Sequence, residues 1–265
     1  EIEVIERGEK VEDRIKSVEE FWNTGKLNTS SNVQFGEGGA GTFSDGKLTT
    51  QIKDQNNRMK YVLETFVRYG ANENILYEAK PHIGTDILRT VIKNMRNKII
   101  KLGGEIHYNS TLTNININDN EIKSIIINDK DEYETETLVL AIGHSARDTF
   151  KMLYDKNINM APKPFAVGIR IQHPRDMINK NQYGLVSHPK LEAASYKLTY
   201  KATNGRGVYS FCMCPGGYVV NASSESNRLA INGMSNNARD SKNANSALIV
   251  TITPKDYGTS PLDGI

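Results

Sequence analysis

The stretch FGEGGAGTFSDGKLTT, residues 35 to 50, holds five glycines in sixteen positions, interleaved with hydroxyl groups, Asp45 and Lys47. Glycine loses more conformational freedom on folding than any other residue, so such a run needs a compensating contact. Gly36, Gly38, Gly39, Ala40, Gly41, Thr42, Phe43, Ser44, Asp45, Gly46 and Lys47 therefore read as a ligand-contacting loop. Its backbone can press against a flat or anionic molecule, and successive free amides can form an anion-binding nest. Gly36, Gly38 and Gly41 also spell G-x-G-x-x-G. That fingerprint needs a buried strand before it and a helix N-terminus after it, where amides and dipole meet a pyrophosphate. Residues 28–34 are polar and 42–51 carry no helical stripe, so the dinucleotide reading fails here. The alternative is a solvent-exposed hairpin loop.

Two strand ends point toward the same chemistry. IEVIERG places Glu6, followed by Arg7, at the tip of an N-terminal apolar run. In doubly wound nucleotide folds an acid at a strand end accepts hydrogen bonds from ribose hydroxyls; an ordinary surface glutamate is the competing reading. LVLAIGHSARD, residues 138 to 148, reads as a buried strand closing on Ala141, Ile142 and Gly143. A small residue and a glycine there let backbone approach a cofactor where a side chain would collide. A tight strand-to-helix turn capped by Ser145 fits the same letters. His144 could shuttle a proton or serve as a structural loop histidine. With His82 and His173 it makes no metal-ligand spacing, so no metal site is expected. Lys47 and Arg170 are candidate partners for an anionic substrate or for cofactor oxygens. Cys212 and Cys214, one residue apart on a strand, should share a face; they read either as buried structural thiols or as a redox pair. Tyr196, Tyr200, Tyr209, Phe211 and Tyr218 read as core, or as the lining of an apolar pocket.

The elements that must position these groups follow from periodicity. An opening strand at 2–6 precedes a helix at 9–22, with Val11, Ile15, Val18 and Trp22 on one face. A second helix spans 56–69 and closes at Gly70. A third runs from 86 to 102, with Thr85 as its cap and Gly103-Gly104 as its stop. The period then turns to alternation: Ile106 and Tyr108, Leu112 to Ile117, and Ile122 to Ile127 predict a β-meander with turns at 118–120 and 128–131. The apolar run 138–142 predicts a strand buried on both faces. After APKP at 161–164 come short strands at 165–171, 196–201, 207–212, 218–222, 228–232 and 247–252, with a helix near 175–181.

Composition limits the function classes. The 265 residues carry a net charge of +2 with basic and acidic side chains interspersed, and 38% hydrophobic residues suffice for a core. No basic stripe calls for nucleic acid or an anionic membrane. No signal peptide or membrane-spanning run is legible, and two cysteines make no secreted disulfide framework, so a cytoplasmic protein is expected.

The order of acid-tipped strand, glycine loop, meander and A-x-G strand resembles the FAD-dependent oxidoreductases of the glutathione-reductase structural type. It resembles most closely their uncharacterised NAD(FAD)-utilising dehydrogenase group. FGEGGAGTFSDGKLTT, EAKPHIGTDIL, LVLAIGHSARDTF, KPFAVGIRIQHP and YKLTYKATNGRGVYSFCMCPGG carry the likeness, which covers essentially the whole chain. The resemblance implies an α/β fold. Residues 1–160 would be an incomplete FAD/NAD(P)-binding, Rossmann-like domain with a β-meander and a helical excursion at 51–80. Residues 161–265 would be a truncated, strand-rich substrate domain. It implies that Glu6, with Arg7 beside it, meets the adenosine ribose and that the 36–47 loop lies on the flavin and pyrophosphate. Backbone near Thr111 and Leu112 would meet adenine, and Ala141, Ile142 and Gly143 would pack on FAD. Lys47 and His144 are then the catalytic candidates. The family's first strand with its glycine turn, and its C-terminal flavin segment, fall outside these residues. The implied activity is FAD-dependent oxidation–reduction of a small organic substrate, with NAD(P)H as electron partner. A non-catalytic binding module and a flavin oxidase or monooxygenase are the alternatives.

Overall fold

The computed structural model describes residues 2–50 and 53–265. Strand β1 (Glu3–Ile5) leads into helix α1 (Val11–Thr24), which buries Val11, Arg14, Val18 and Phe21 on one face. Gly25, in the left-handed region at φ 78°, ends α1 by donating its N–H to the Phe21 carbonyl; glycine suits that position because it carries no Cβ. The chain then runs irregularly through the glycine-rich loop, with a 3-10 turn at Ala40–Phe43 and an isolated bridge from Lys47 to His82. Helix α2 (Arg58–Arg68), a 3-10 turn at Glu73–Leu76 and helix α3 (Thr85–Lys101) follow. Ala71, Ile75, Ile83 and Val91 form the core that holds α2 and α3 together.

Strand β2 (Glu105–His107) pairs in parallel with β1, matching Val4 to Ile106. Strands β3 (Leu112–Asn118), β4 (Glu121–Ile127) and β5 (Asp131–Glu134) form an antiparallel meander. The β3–β4 turn has both Asp119 and Asn120 at positive φ, the conformation whose twist matches a tight hairpin. Helix α4 (Arg147–Asp155) sets Leu153 against Ile115, Ile125 and Ile127 of the meander. Then come β6 (Phe165–Pro174), α5 (Arg175–Tyr183), β7 (Thr199–Lys201), β8 (Gly207–Cys214), β9 (Tyr218–Asn221), β10 (Ile231–Met234), β11 (Asn243–Ile252) and the short α6 (Pro254–Tyr257). They make one antiparallel sheet in the order β6-β11-β8-β7 and a separate β9–β10 hairpin. The protein is thus mixed α/β, with several small sheets. Among the described residues no helix is long and apolar enough to cross a membrane.

The structure corrects several expectations. Ile106 belongs to the parallel pair with β1, and the third meander strand is β5, in part on residues read as a turn. Thr85 is the first residue of α3 and makes no cap; its hydroxyl donates instead to the Thr42 carbonyl. Ser145 does not cap α4 either, the N-cap position falling on Ala146. The run 138–142 is not a strand, and Val139 is 83% exposed. A strand needs a neighbour to take its backbone groups, and none of the described strands pairs with this segment. The aromatic residues Tyr200, Phe211 and Tyr218 are exposed and do not form the core expected of them.

An apolar cluster around α1 joins early and late parts of the chain. Val18, Val33, Phe43 and Ala222 form a single buried cluster, with Ile15, Trp22 and Met234 against it. The Trp22 indole N–H donates to the Asn221 carbonyl at 2.9 Å, and the Gln34 amide to the Ala222 carbonyl at 3.1 Å. Val18 is fully buried there, so Val18→Ala should lower unfolding stability by about 2 kcal/mol through lost burial and the cavity left behind. Urea denaturation checks this, with Leu229→Ala, an exposed position, expected to stay within about 0.5 kcal/mol of the parent protein.

Candidate functional site

The glycine-rich loop is held by a buried guanidinium. Arg14 sits on the inner face of α1 with no exposed surface. Its Nε donates to the Asn32 carbonyl at 2.9 Å, Nη2 to Val33 at 3.1 Å, and Nη1 to Gly36 at 3.1 Å and Glu37 at 2.7 Å. Burial pulls its pKa down to about 10, against the attraction of Glu6 and Glu37, so it stays charged at neutral pH. A Cβ on Gly36 would lie 2.3 Å from the Arg14 side chain. That glycine is therefore required by packing against protein. Phe43, wholly buried, lies under both the Arg14 and Arg89 guanidinium groups, 4.8 and 4.7 Å from the ring centre.

Glu37 ties the loop to three elements. Its carboxylate accepts the Val11 N–H at the start of α1 (2.7 Å), Arg96 of α3 (2.8 Å) and the Tyr108 hydroxyl (2.7 Å). Further along, Asp45 is almost fully buried and binds Ser235 and Arg239, with Lys47 at 3.1 Å. Burial alone would raise its pKa, but the hydrogen bond from Arg239, the Lys47 and Arg239 charges and the Ser235 hydroxyl outweigh that and hold it at about 2. Gly46 and Leu48 make backbone hydrogen bonds to Ile83 and Pro81.

Beside this loop opens a cavity of about 990 Å³. Its walls are residues 2–7 on and around β1, Gln34 to Gly36, Gly39 and Ala40, the inner side of the meander, and residues 137–146. Of the sequence candidates, Glu6, Arg7, Gly36, Gly39, Ala40, Leu112, Ala141, Ile142, Gly143 and His144 line it together. Glu6 Oε1 accepts the Gly8 N–H at 2.8 Å and the Gly36 N–H at 3.0 Å, which clamps the β1 tip to the loop. Arg7 pairs with Asp148 at 2.7 Å and stacks on Phe35. Gly39 has φ 63°, and an added Cβ there would meet no atom within 4 Å. His144 Nδ1 lies 2.7 Å from the Ser145 hydroxyl.

Gly38, Gly41, Thr42, Phe43, Ser44, Asp45, Gly46 and Lys47 are not part of this wall. Six of the loop's amides are already engaged: Gly36, Glu37, Gly39, Thr42, Ser44 and Gly46 donate their N–H groups to protein acceptors. Sequence reasoning missed Arg14 and Glu37. The available signals were a charged residue on the apolar stripe of α1 and an acid inside the glycine run.

Residues 164–265 match the model of a family described as FAD-dependent protein, C-terminal domain-like. A protein of Clostridium beijerinckii, described as "Uncharacterized protein", is 57% identical over 265 residues, covering 99% of this chain and 49% of its own length. The chain therefore spans about half the length of that curated relative. The crystal structure of the tetracycline destructase Tet(51) aligns over 94% of this chain and 56% of its own at 12% identity and a TM-score of 0.35. The family match supports FAD dependence and gives no support to a glutathione-reductase type.

The buried groups around the loop generate two tests. The Asp45 pKa is depressed in the folded state, so its stabilisation is present above the unfolded value and is lost as pH falls from about 4 toward 2. Asp45→Asn should destabilise the protein at neutral pH by about 2 kcal/mol and flatten this acid limb in denaturation curves taken across pH. Arg14→Met, which leaves buried carbonyl oxygens without donors, should cost about 4 kcal/mol. Arg14→Lys should recover only part of the loss on the same urea curves, because one ammonium cannot span four carbonyls.

Proposed function

We propose that the protein is an FAD-dependent oxidoreductase acting on a small organic substrate, with the cavity beside β1 forming part of its flavin site. The observation that carries this reading is convergence. Glu6, Gly39 and the segment Ala141, Ile142 and Gly143 come from three distant parts of the chain and line one cavity. The family match lies elsewhere, at residues 164–265, and supports the same cofactor independently of that geometry.

The residues present suit a dinucleotide. The Glu6 carboxylate has more acceptor sites than the two amides use, and a ribose hydroxyl can occupy another. Gly39 offers side-chain-free backbone on the open side of the loop. Ala141, Ile142 and Gly143 present an apolar surface with little side chain for a flat ring, and Leu112 adds apolar wall from the meander. A bound flavin would supply the two-electron chemistry, with NAD(P)H as the proposed electron donor. The chain supplies the rest: Glu6 orients the adenosine end, the Arg14-locked loop holds its wall rigid, and His144 is placed to hold or move a proton.

Among the described residues β1 pairs with β2 and the apolar run 138–142 pairs with no strand, and both line the same cavity.

Titration of the purified protein with FAD, followed by flavin fluorescence, tests the site. Glu6→Ala and Gly39→Val should each weaken binding about tenfold or more, the equivalent of one lost hydrogen bond or one obstructing side chain. Unchanged affinity in both variants would remove the cavity as the flavin site. Peroxide release on reduction, without transfer to an organic acceptor, would move the activity to that of an oxidase.

A further inference from the structure

A second group of side chains has chemistry that the flavin reading does not use. β8 ends in Cys212-Met213-Cys214, with Cys214 fully buried and Cys212 partly exposed; both are free thiols. In a regular strand, residues two apart share a face and lie about 6.6 Å apart, near the upper limit for a disulfide of about 6.8 Å. The strand is not regular here. Across β11, Asn245 pairs with Cys214 but Ala247 pairs with Phe211, so β8 carries one extra residue as a bulge. The distortion falls on Cys212, whose φ is 46°. Left-handed backbone at such a residue is uncommon and costs free energy, and it turns the side chain out of the normal alternation. The Cys214 thiol donates to the Cys212 carbonyl at 3.7 Å.

Charged and polar groups from three other segments converge on the pair. Arg170 of β6 reaches over β11, donating to the Asn245 side-chain oxygen at 2.6 Å and the Cys212 carbonyl at 3.3 Å. Lys47, from the end of the glycine-rich loop, places Nζ 4.0 Å from Cys214 Sγ. A Cβ on Gly233 of β10 would lie 2.5 Å from Arg170 Nη1 and Asn245 Oδ1 and 2.7 Å from Cys214 Sγ, which shows how closely these atoms approach one point. The Asn245 amide nitrogen is buried at the same point without a hydrogen-bond partner. Its orientation is fixed, because the guanidinium of Arg170 only donates. The charge of Asp45 opposes the thiolate; its carboxylate is bound by Arg239 and pairs with Lys47 at 3.1 Å. The neighbouring Cys214 thiol lowers the Cys212 pKa below the ordinary thiol range; burial opposes this, and Lys47 and Arg170 add to it. Cys214 is pushed the other way, by the proximity of Cys212 and by burial.

We propose that Cys212 and Cys214 form a thiol–disulfide exchange site for an anionic disulfide, with Cys212 as the attacking sulfur and Cys214 as the resolving one. The Cys212 thiolate attacks one sulfur of the substrate; the substrate S–S bond breaks, one thiolate leaves, and a mixed disulfide forms on Cys212. Cys214 then loses its proton to solvent and attacks the Cys212 sulfur, expelling the second thiolate. The protein dithiol is oxidised by two electrons, and both are carried away on the two released thiolates. Lys47 and Arg170 lower the cost of the thiolate and attract the anionic substrate. None of this depends on the flavin site.

Dithiobis(nitrobenzoate), an anionic chromogenic disulfide, is the probe. The full chain should release two nitrothiophenolates, leaving a product two hydrogens lighter with no adduct by intact-mass measurement. Cys214→Ser should stop after one release with a stable adduct on residue 212. Cys212→Ser should react about tenfold slower or less readily still. The rate of alkylation of Cys212 in the unmodified protein, mapped by peptide mass, should rise through a midpoint below about 8.5, the ordinary thiol value, and Lys47→Met should move that midpoint upward. Stable adducts on both cysteines, equal rates for the two serine variants, or a midpoint at or above the ordinary value would each overturn the proposal. The last measurement and the release stoichiometry need no variant, so they decide the question even if a serine variant does not fold.

Discussion

The interaction on which the rest depends is the burial of the Arg14 guanidinium under the 32–37 backbone. A charge with no exposed surface is costly unless its donors are matched. Here they are matched by four main-chain carbonyls that belong to neither helix nor strand. The debt runs both ways. Irregular buried backbone must find donors somewhere, and this polar segment finds them in one side chain delivered by α1. The same contact explains why residue 36 lacks a side chain, since a Cβ would strike the guanidinium. Glu37 then extends the lock to α3 through Arg96 and to Tyr108. A loop that looks flexible by composition is thereby fixed at its base.

The loop's two ends serve different neighbourhoods. Its first half, through Gly36, Gly39 and Ala40, forms a wall of the cavity. Its second half turns inward, where Asp45 binds Ser235 and Arg239 and Lys47 approaches Cys214. Asp45 acts as the anchor between them. Its carboxylate neutralises Arg239 in a nearly dry setting and leaves Lys47 only partly neutralised beside the thiols. Backbone contacts at Gly46 and Leu48 keep that lysine in register. The glycines therefore answer to several demands at once: close packing on Arg14 at Gly36, and open backbone facing the cavity at Gly39.

What was legible in the sequence follows from locality. α1, α2, α3 and α5 were legible because apolar residues at helical spacing and their terminating signals lie within a few residues of one another. β3 and β4 were legible because Asp119 and Asn120 mark the turn between alternating runs. The parallel partner of β1 was not, because nothing within 105–107 records a pairing to residues a hundred positions earlier. The run 138–142 misled for the same reason in reverse: its letters suit a buried strand, but strand formation is decided by a neighbour that the letters do not contain. For the candidate site, Glu6 and Gly143 could be picked out one by one as strand-end residues, whereas their meeting in one cavity is a property of the fold. Arg14 and Glu37 were passed over because charged residues are most often exposed, and the tertiary structure shows these two turned inward.

The bulge at Cys212 shows what that inward organisation makes possible. A regular β8 would keep Phe211, Cys212 and Met213 in strict alternation, with its ladder to β11 unbroken. The structure instead gives up a regular pair, accepts a left-handed cysteine, and leaves a buried Asn245 amide without a partner. Each of these departures is unfavourable taken alone. All three meet where Arg170 and Lys47 supply positive charge, so the strain and the charge fall on the same pair of sulfurs. A core built only for stability would relax that bulge and give the Asn245 amide a partner. Its retention of strain, unsatisfied polarity and paired thiols at one point is the physical reason to look for reactivity there.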